Sequence, residues 1–110
     1  MRIEKDVPAL AALERRDGPL TFGRMLRALR QCEAESLAIF AARLGVTKQH
    51  LSDIERGKRA VSVERAAAWA RTLGYHAGQF VALALQAQVE AAGLRFRVAV
   101  EPAERRRRAS

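Results

Sequence analysis

Lys48, Gln49, Ser52 and Asp53 place an ammonium, an amide, a hydroxyl and a carboxylate close together in the chain. At helical spacing, Lys48 and Gln49 open a helix and Ser52 and Asp53 follow one turn later. These groups suit the edges of nucleic-acid bases: an ammonium reaches guanine O6 or N7, an amide pairs bidentately with adenine, and a carboxylate accepts from the amino group of cytosine. Around them stand Thr47, His50, Arg56, Lys58 and Arg59, donors of the kind that hold phosphate oxygens. No comparable set supports catalysis. His50 and His76 are the only histidines, Cys32 stands alone, and no His, Cys, Asp and Glu have metal-ligand spacing, so neither a metal nor another cofactor is expected. Asp53 and Glu55, two apart on a helix, diverge. Trp69 and its neighbouring alanines read as core.

The elements that must position these residues are legible from capping and periodicity. Thr21 caps a first helix with the stripe Phe22, Met25, Leu26 and Leu29, expected to run to about Ala34. Ser36 caps a second helix that buries Phe40, Ala41 and Leu44 and stops at Gly45. Val46 plugs the corner, and Thr47 caps a third helix that buries Leu51 and Ile54 and ends near Arg56, before Gly57. Two short helices crossing at such a turn form a helix-turn-helix, in which Ala41 must be small because the next helix passes over it. Ser62 caps a fourth helix with Ala66, Ala67, Trp69, Ala70 and Leu73 inward, ended by Gly74. A fifth begins within residues 75–78 and reaches about Ala92, with a second apolar stripe of Val81, Leu85, Val89 and Ala92. Beyond Gly93 the period becomes two: Leu94, Phe96, Val98 and Val100 alternate with Arg95, Arg97, Ala99 and Glu101 until Pro102, the pattern of a strand.

The run LGVTKQHLSDIERGKR, followed by SVERAAAWARTLG and preceded by LRALR, resembles the phage repressor/Cro class of DNA-binding domain, the XRE family, over about residues 22–85. The resemblance implies a mainly α fold, a five-helix repressor-like domain whose third helix enters the major groove. Lys48, Gln49, Ser52 and Asp53 then read bases, while Thr47, His50, Arg56, Lys58 and Arg59 hold phosphates. For Asp53 the alternative is a solvated or locally paired carboxylate, and for His50 a surface histidine without a role. The resemblance also implies a largely buried ion pair of Arg30 with Glu55, orienting the third helix against the first. One departure stands out. Leu37 and Ile39 replace the glutamine and acidic residue common in the family after the second cap, so either the backbone amides there suffice for the phosphate or the apolar pair faces a protein, with the N-terminal segment as one candidate.

Composition agrees with a polyanionic partner: 20 Lys plus Arg against 12 Asp plus Glu give a net charge of +8, part of it in the arginine run 105–108. At 110 residues, with many alanines among its apolar residues, the chain is one domain with a thin core, and a second subunit is the natural remedy. The expected organisation is an N-terminal appendage over 1–19, a helix-turn-helix core over 20–75, a helix and strand for dimerisation over 76–101, and a basic tail over 102–110. Val81, Leu85, Val89, Leu94, Phe96, Val98 and Val100 are the expected homodimer contacts, with the strand antiparallel to its own copy. Pairing with residues 2–5 is the alternative. A single cysteine, no signal-like N-terminus and no long apolar run lead to an expected cytoplasmic, nucleoid-associated protein without a membrane partner. The expected function is sequence-specific binding of double-stranded DNA at an inverted repeat, as a repressor or autoregulator. The alternative is an antitoxin that binds a toxin and represses its own operon.

Overall fold

The computed structural model describes residues 19–103. The N-terminal segment up to residue 18, the pairing alternative at residues 2–5, and the arginine run 105–108 lie outside the described residues. Among the described residues five helices follow one another: α1 (Phe22–Cys32), α2 (Leu37–Leu44), α3 (Lys48–Glu55), α4 (Val63–Leu73) and α5 (Ala77–Ala91).

The first four are each opened by a side-chain hydroxyl. Thr21, Ser36, Thr47 and Ser62 accept hydrogen bonds from the amides of Arg24, Ile39, His50 and Arg65, at 3.0 to 3.2 Å. Each bond satisfies an amide that the helix itself cannot. Gly45 and Gly74 close α2 and α4 in the left-handed conformation, φ 76° and 83°. Helix α1 stops at Cys32, earlier than expected. Ala34 itself takes φ 54°, and the amides of Ala34 and Glu35 turn back to the carbonyls of Gln31 and Arg30. This is the closing pattern that glycine usually serves, carried here by a residue with a Cβ.

Packing gathers around α1, whose Met25, Leu26 and Leu29 are fully enclosed together with Phe40, Ala41, Leu51, Ile54, Ala66 and Ala70. Four aromatics close the far end. Phe22 meets Phe80 edge-on at 5.8 Å and Trp69 at 6.4 Å, and Tyr75 stacks on Phe80 at 6.2 Å. Contacts of this geometry add to the burial of large rings. Helices α4 and α5 share the most extensive contact, while α3 rests on both α1 and α2. The inward face of α5 is Phe80 and Ala84, which leaves Val81, Leu85 and Val89 only half-buried.

Residues 94–101, read from their alternation as a strand, form no β-ladder within the chain, since no second strand lies among the described residues to complete one. Gly93, at φ 76°, turns the chain, and the amides of Gly93 and Leu94 bond to the carbonyls of Glu90 and Val89. The segment then runs back along α5. The Gln86 side chain donates from Nε2 to the Phe96 carbonyl at 2.9 Å and accepts at Oε1 from the Val98 amide at 2.7 Å. Val100 comes to rest beside Gly78, where an added Cβ would lie 3.9 Å from its Cγ2.

Candidate nucleic-acid interface

Helix α3 is only eight residues long, too short to hold itself in water, so its position is set by what it touches. Leu51 and Ile54 face the core. At the end of the helix, Glu55 accepts from Arg30 at two points, Nε to Oε2 at 2.8 Å and Nη2 to Oε1 at 2.9 Å. Side-chain exposure is 5% for Glu55 and 14% for Arg30, so water screens the pair little. The hydrogen bond to Glu55 is the main cause that raises the Arg30 pKa, against the opposing cost of burial. Arg30 also donates from Nη1 to the Glu35 carbonyl at 3.1 Å, which brings the loop before α2 into the same joint.

A second restraint comes from a glycine that the sequence did not flag. Gly23, in the first turn of α1, lies directly under the end of α3, and a Cβ there would collide with the carbonyl oxygen of Ile54 and stand 2.9 Å from that of Glu55. Its only hint in sequence is a glycine inside an apolar helical stripe. Helix α2 is pinned in turn by Trp69, whose Nε1 donates to the Leu44 carbonyl at 3.1 Å. Arg43 joins α2 to the preceding loop, donating to Glu33 at 2.6 Å and to Glu35 at 2.8 Å, and the Tyr75 hydroxyl donates to the same Glu33 at 2.6 Å. Burial and that carboxylate push the Tyr75 pKa far up, so the phenol keeps its proton and remains a donor.

With one side of α3 enclosed, the other points outward. Lys48 and Gln49 are exposed at its start, and Ser52 and Asp53 are half-buried one turn on. Gln49 Nε2 donates to Asp53 Oδ1 at 2.9 Å, so the carboxylate is paired locally. His50 is half-buried beside this face. Burial lowers its pKa first, and the nearby Arg59 and Arg65 lower it further, against a smaller opposite effect of Asp53. Arg65 went unnoticed in sequence because its placement is tertiary: it opens α4, lies over the Trp69 ring at 5.6 Å, and adds positive charge beside His50. Thr47 caps the helix start. Beyond the helix end, Gly57 at φ 77° turns the chain so that Arg56, Lys58 and Arg59 stand exposed. Of the expected dimer contacts, Leu94, Phe96 and Val100 are exposed, and Val98 is half-buried. Ile39 is 56% exposed on α2, whereas Leu37 packs against the core.

Among the described residues no group of His, Cys, Asp and Glu is placed to hold a metal ion, and no helix is long and apolar enough to cross a membrane. The surface therefore offers hydrogen-bonding side chains on one protruding helix, flanked by cations. A family model described as helix-turn-helix matches residues 26–80, which is 55 of the 110 residues and runs from within α1 into α5. Neither the curated proteins nor the solved structures contain a match.

Proposed function

From its membership in the helix-turn-helix family of repressor/Cro (XRE) type, a family of DNA-binding transcriptional regulators, we propose that this protein binds an inverted repeat as a homodimer and represses transcription. The observation that carries the reading is the presentation of α3: its inner side is fixed by Gly23, Arg30 and the core, and its outer start is lined by polar side chains. In this reading Lys48, Gln49 and Ser52 meet base edges, and Asp53, paired with Gln49, stands beside them. Thr47, His50, Arg56, Lys58 and Arg59 hold phosphates, and Arg65 joins them.

The homodimer is supported by the segment after α5. Gln86 occupies the Phe96 carbonyl and the Val98 amide, which lie on one edge of an extended chain. The opposite edge carries the backbone groups of Arg95, Arg97 and Ala99, which make no hydrogen bond among the described residues. An antiparallel copy added there around an axis at Val98 sets Phe96 opposite Val100 of the partner subunit and Arg95 opposite Glu101 of the partner subunit. Val81, Leu85, Val89 and Leu94 complete the apolar contact. The second reading, an antitoxin that binds a toxin and represses its own operon, is favoured by the apolar surface at Ile39, which the dimer leaves unused.

Selection of bound sequences from a random duplex pool at stated salt tests the first reading. An inverted repeat with half-site centres about one helical turn, roughly 34–36 Å, apart is expected. Chain ended after Gly93 should lose affinity for the full repeat more than for a half-site. Truncated protein that still sediments as a stable dimer and binds the full site unchanged would overturn the dimer. A toxin that co-purifies at fixed stoichiometry would favour the second reading.

A further inference from the structure

We propose that Asp53 is a positioning residue that fixes which way round the Gln49 amide faces, so that Gln49 selects adenine at one position of each half-site. The inference rests on the reading of α3 as the base-reading helix. An ionised carboxylate has acceptors only, so Gln49 must turn Nε2 toward Asp53, as the 2.9 Å bond records. Residues 49 and 53 are one turn apart on the same face, which makes the bond compatible with an undistorted helix. One of the two Nε2 protons is then engaged. The remaining N–H and the Oε1 acceptor lie side by side on the outer edge of the amide.

That edge offers one donor and one acceptor in a fixed order. Adenine presents N7 as acceptor and N6 as donor in the major groove, the complementary pattern, whereas guanine presents two acceptors, N7 and O6. To accommodate guanine, the amide carbonyl would have to leave O6, and rotation of the amide would set Oε1 against the Asp53 carboxylate. The bond thus excludes the wrong base through a repulsive contact as well as favouring the right one. Guanine readout falls to Lys48, a point donor without such a polarity. Gln49 is exposed while Asp53 is half-buried, so the amide reaches outward and the carboxylate stays behind it.

The test uses the full chain and the duplex selected by the wild type, with all four base pairs substituted at each position in turn. Binding is compared for wild type, Gln49→Ala, Asp53→Ala, Asp53→Asn and the double Gln49→Ala/Asp53→Ala variant. Gln49→Ala should abolish the adenine preference at one position. Both Asp53 variants should lower the adenine-to-guanine ratio at that same position about tenfold, the factor that corresponds to about 1.4 kcal/mol, as expected for a bond to a charged group. Asparagine matches aspartate in shape but can either donate or accept, so its loss of selectivity would not come from misfolding. Asp53→Ala should change nothing further in the Gln49→Ala background. Unchanged ratios in both Asp53 variants would overturn the proposal. So would a lost preference for cytosine that persists without Gln49, since Asp53 would then read a base itself. If the wild type selects no sequence at all, the base-reading assignment of α3 fails, and this inference fails with it.

Discussion

Helix α3 and the segment 94–103 both lie at the surface, and they are held in opposite ways. The helix is fixed by a glycine contact, a two-point ion pair, a hydroxyl cap and two buried aliphatic side chains. The segment is fastened mainly by the amide of Gln86, and Phe96 within it is 68% exposed. A group that must meet a fixed lattice of bases tolerates little displacement, so several independent restraints are set against it. A chain that awaits a second copy needs only to be kept near, with one edge open.

The comparison breaks most readily at Glu55. Glu55→Ala strands the Arg30 guanidinium in a nearly enclosed joint and should cost about 3–5 kcal/mol. Thermal melts of Glu55→Ala, Arg30→Ala and the double variant measure the coupling, and strictly additive losses would deny the pair its role.

Gly23→Ala comes next. The new Cβ meets backbone carbonyls, which cannot rotate away as a side chain would, so α3 must shift outward. Overpacking costs about 1–3 kcal/mol, and the better helix propensity of alanine returns about 1 kcal/mol. Affinity for the selected duplex should fall by a larger factor than the stability loss explains. Wild-type affinity in a destabilised variant would show that the recognition geometry survives the shift.

His50 sharpens the comparison through pH. Its pKa in the free protein lies below the ordinary 6.5, from burial and from Arg59 and Arg65. A phosphate beside the imidazole would favour the charged form and raise that pKa, so binding takes up a proton. Affinity should therefore rise as pH falls through the bound-state pKa and level off below the free-state value. Stability has the opposite sign, because the unfolded chain binds the proton more readily and the folded domain weakens as pH drops below about 6.5. His50→Gln should flatten both profiles. An affinity without pH dependence in the wild type would place His50 away from the phosphates.

The smallest effect is expected at Gln86. Gln86→Ala should leave the melting temperature within the shift of a surface change, about 0.5 kcal/mol, while amide exchange of Val98 accelerates. Undiminished protection of Val98 would mean that another contact holds the segment.

Much of the fold was legible because it is local. The hydroxyls of Thr21, Ser36, Thr47 and Ser62 sit three residues before the amides they cap, and Gly45 and Gly74 follow directly on the last helical residues. The exposed start of α3 followed from the same logic, since Leu51 and Ile54 fix which side is inward. What escaped notice depends on distance in the chain. Gly23 matters only because residues 54 and 55 arrive above it, Glu33 collects Arg43 and Tyr75 from two other elements, and Arg65 reaches the neighbourhood of His50 through the docking of α4. Ala34 escaped for a different reason: its left-handed φ of 54° contradicts the preference of its own residue type, so the end of α1 at Cys32 carries no residue signal.

The four hydroxyl caps have a further consequence. A carboxylate in the same place would satisfy the amide equally well and would also cancel the partial positive charge that gathers at a helix start. Threonine and serine do the first without the second. Neither α2 nor α3 carries an acidic residue in its first turn. The two helix starts on either side of Gly45 thus keep their electropositive sign, and a passing anion meets attraction from the backbone itself before any arginine or lysine side chain has been ordered.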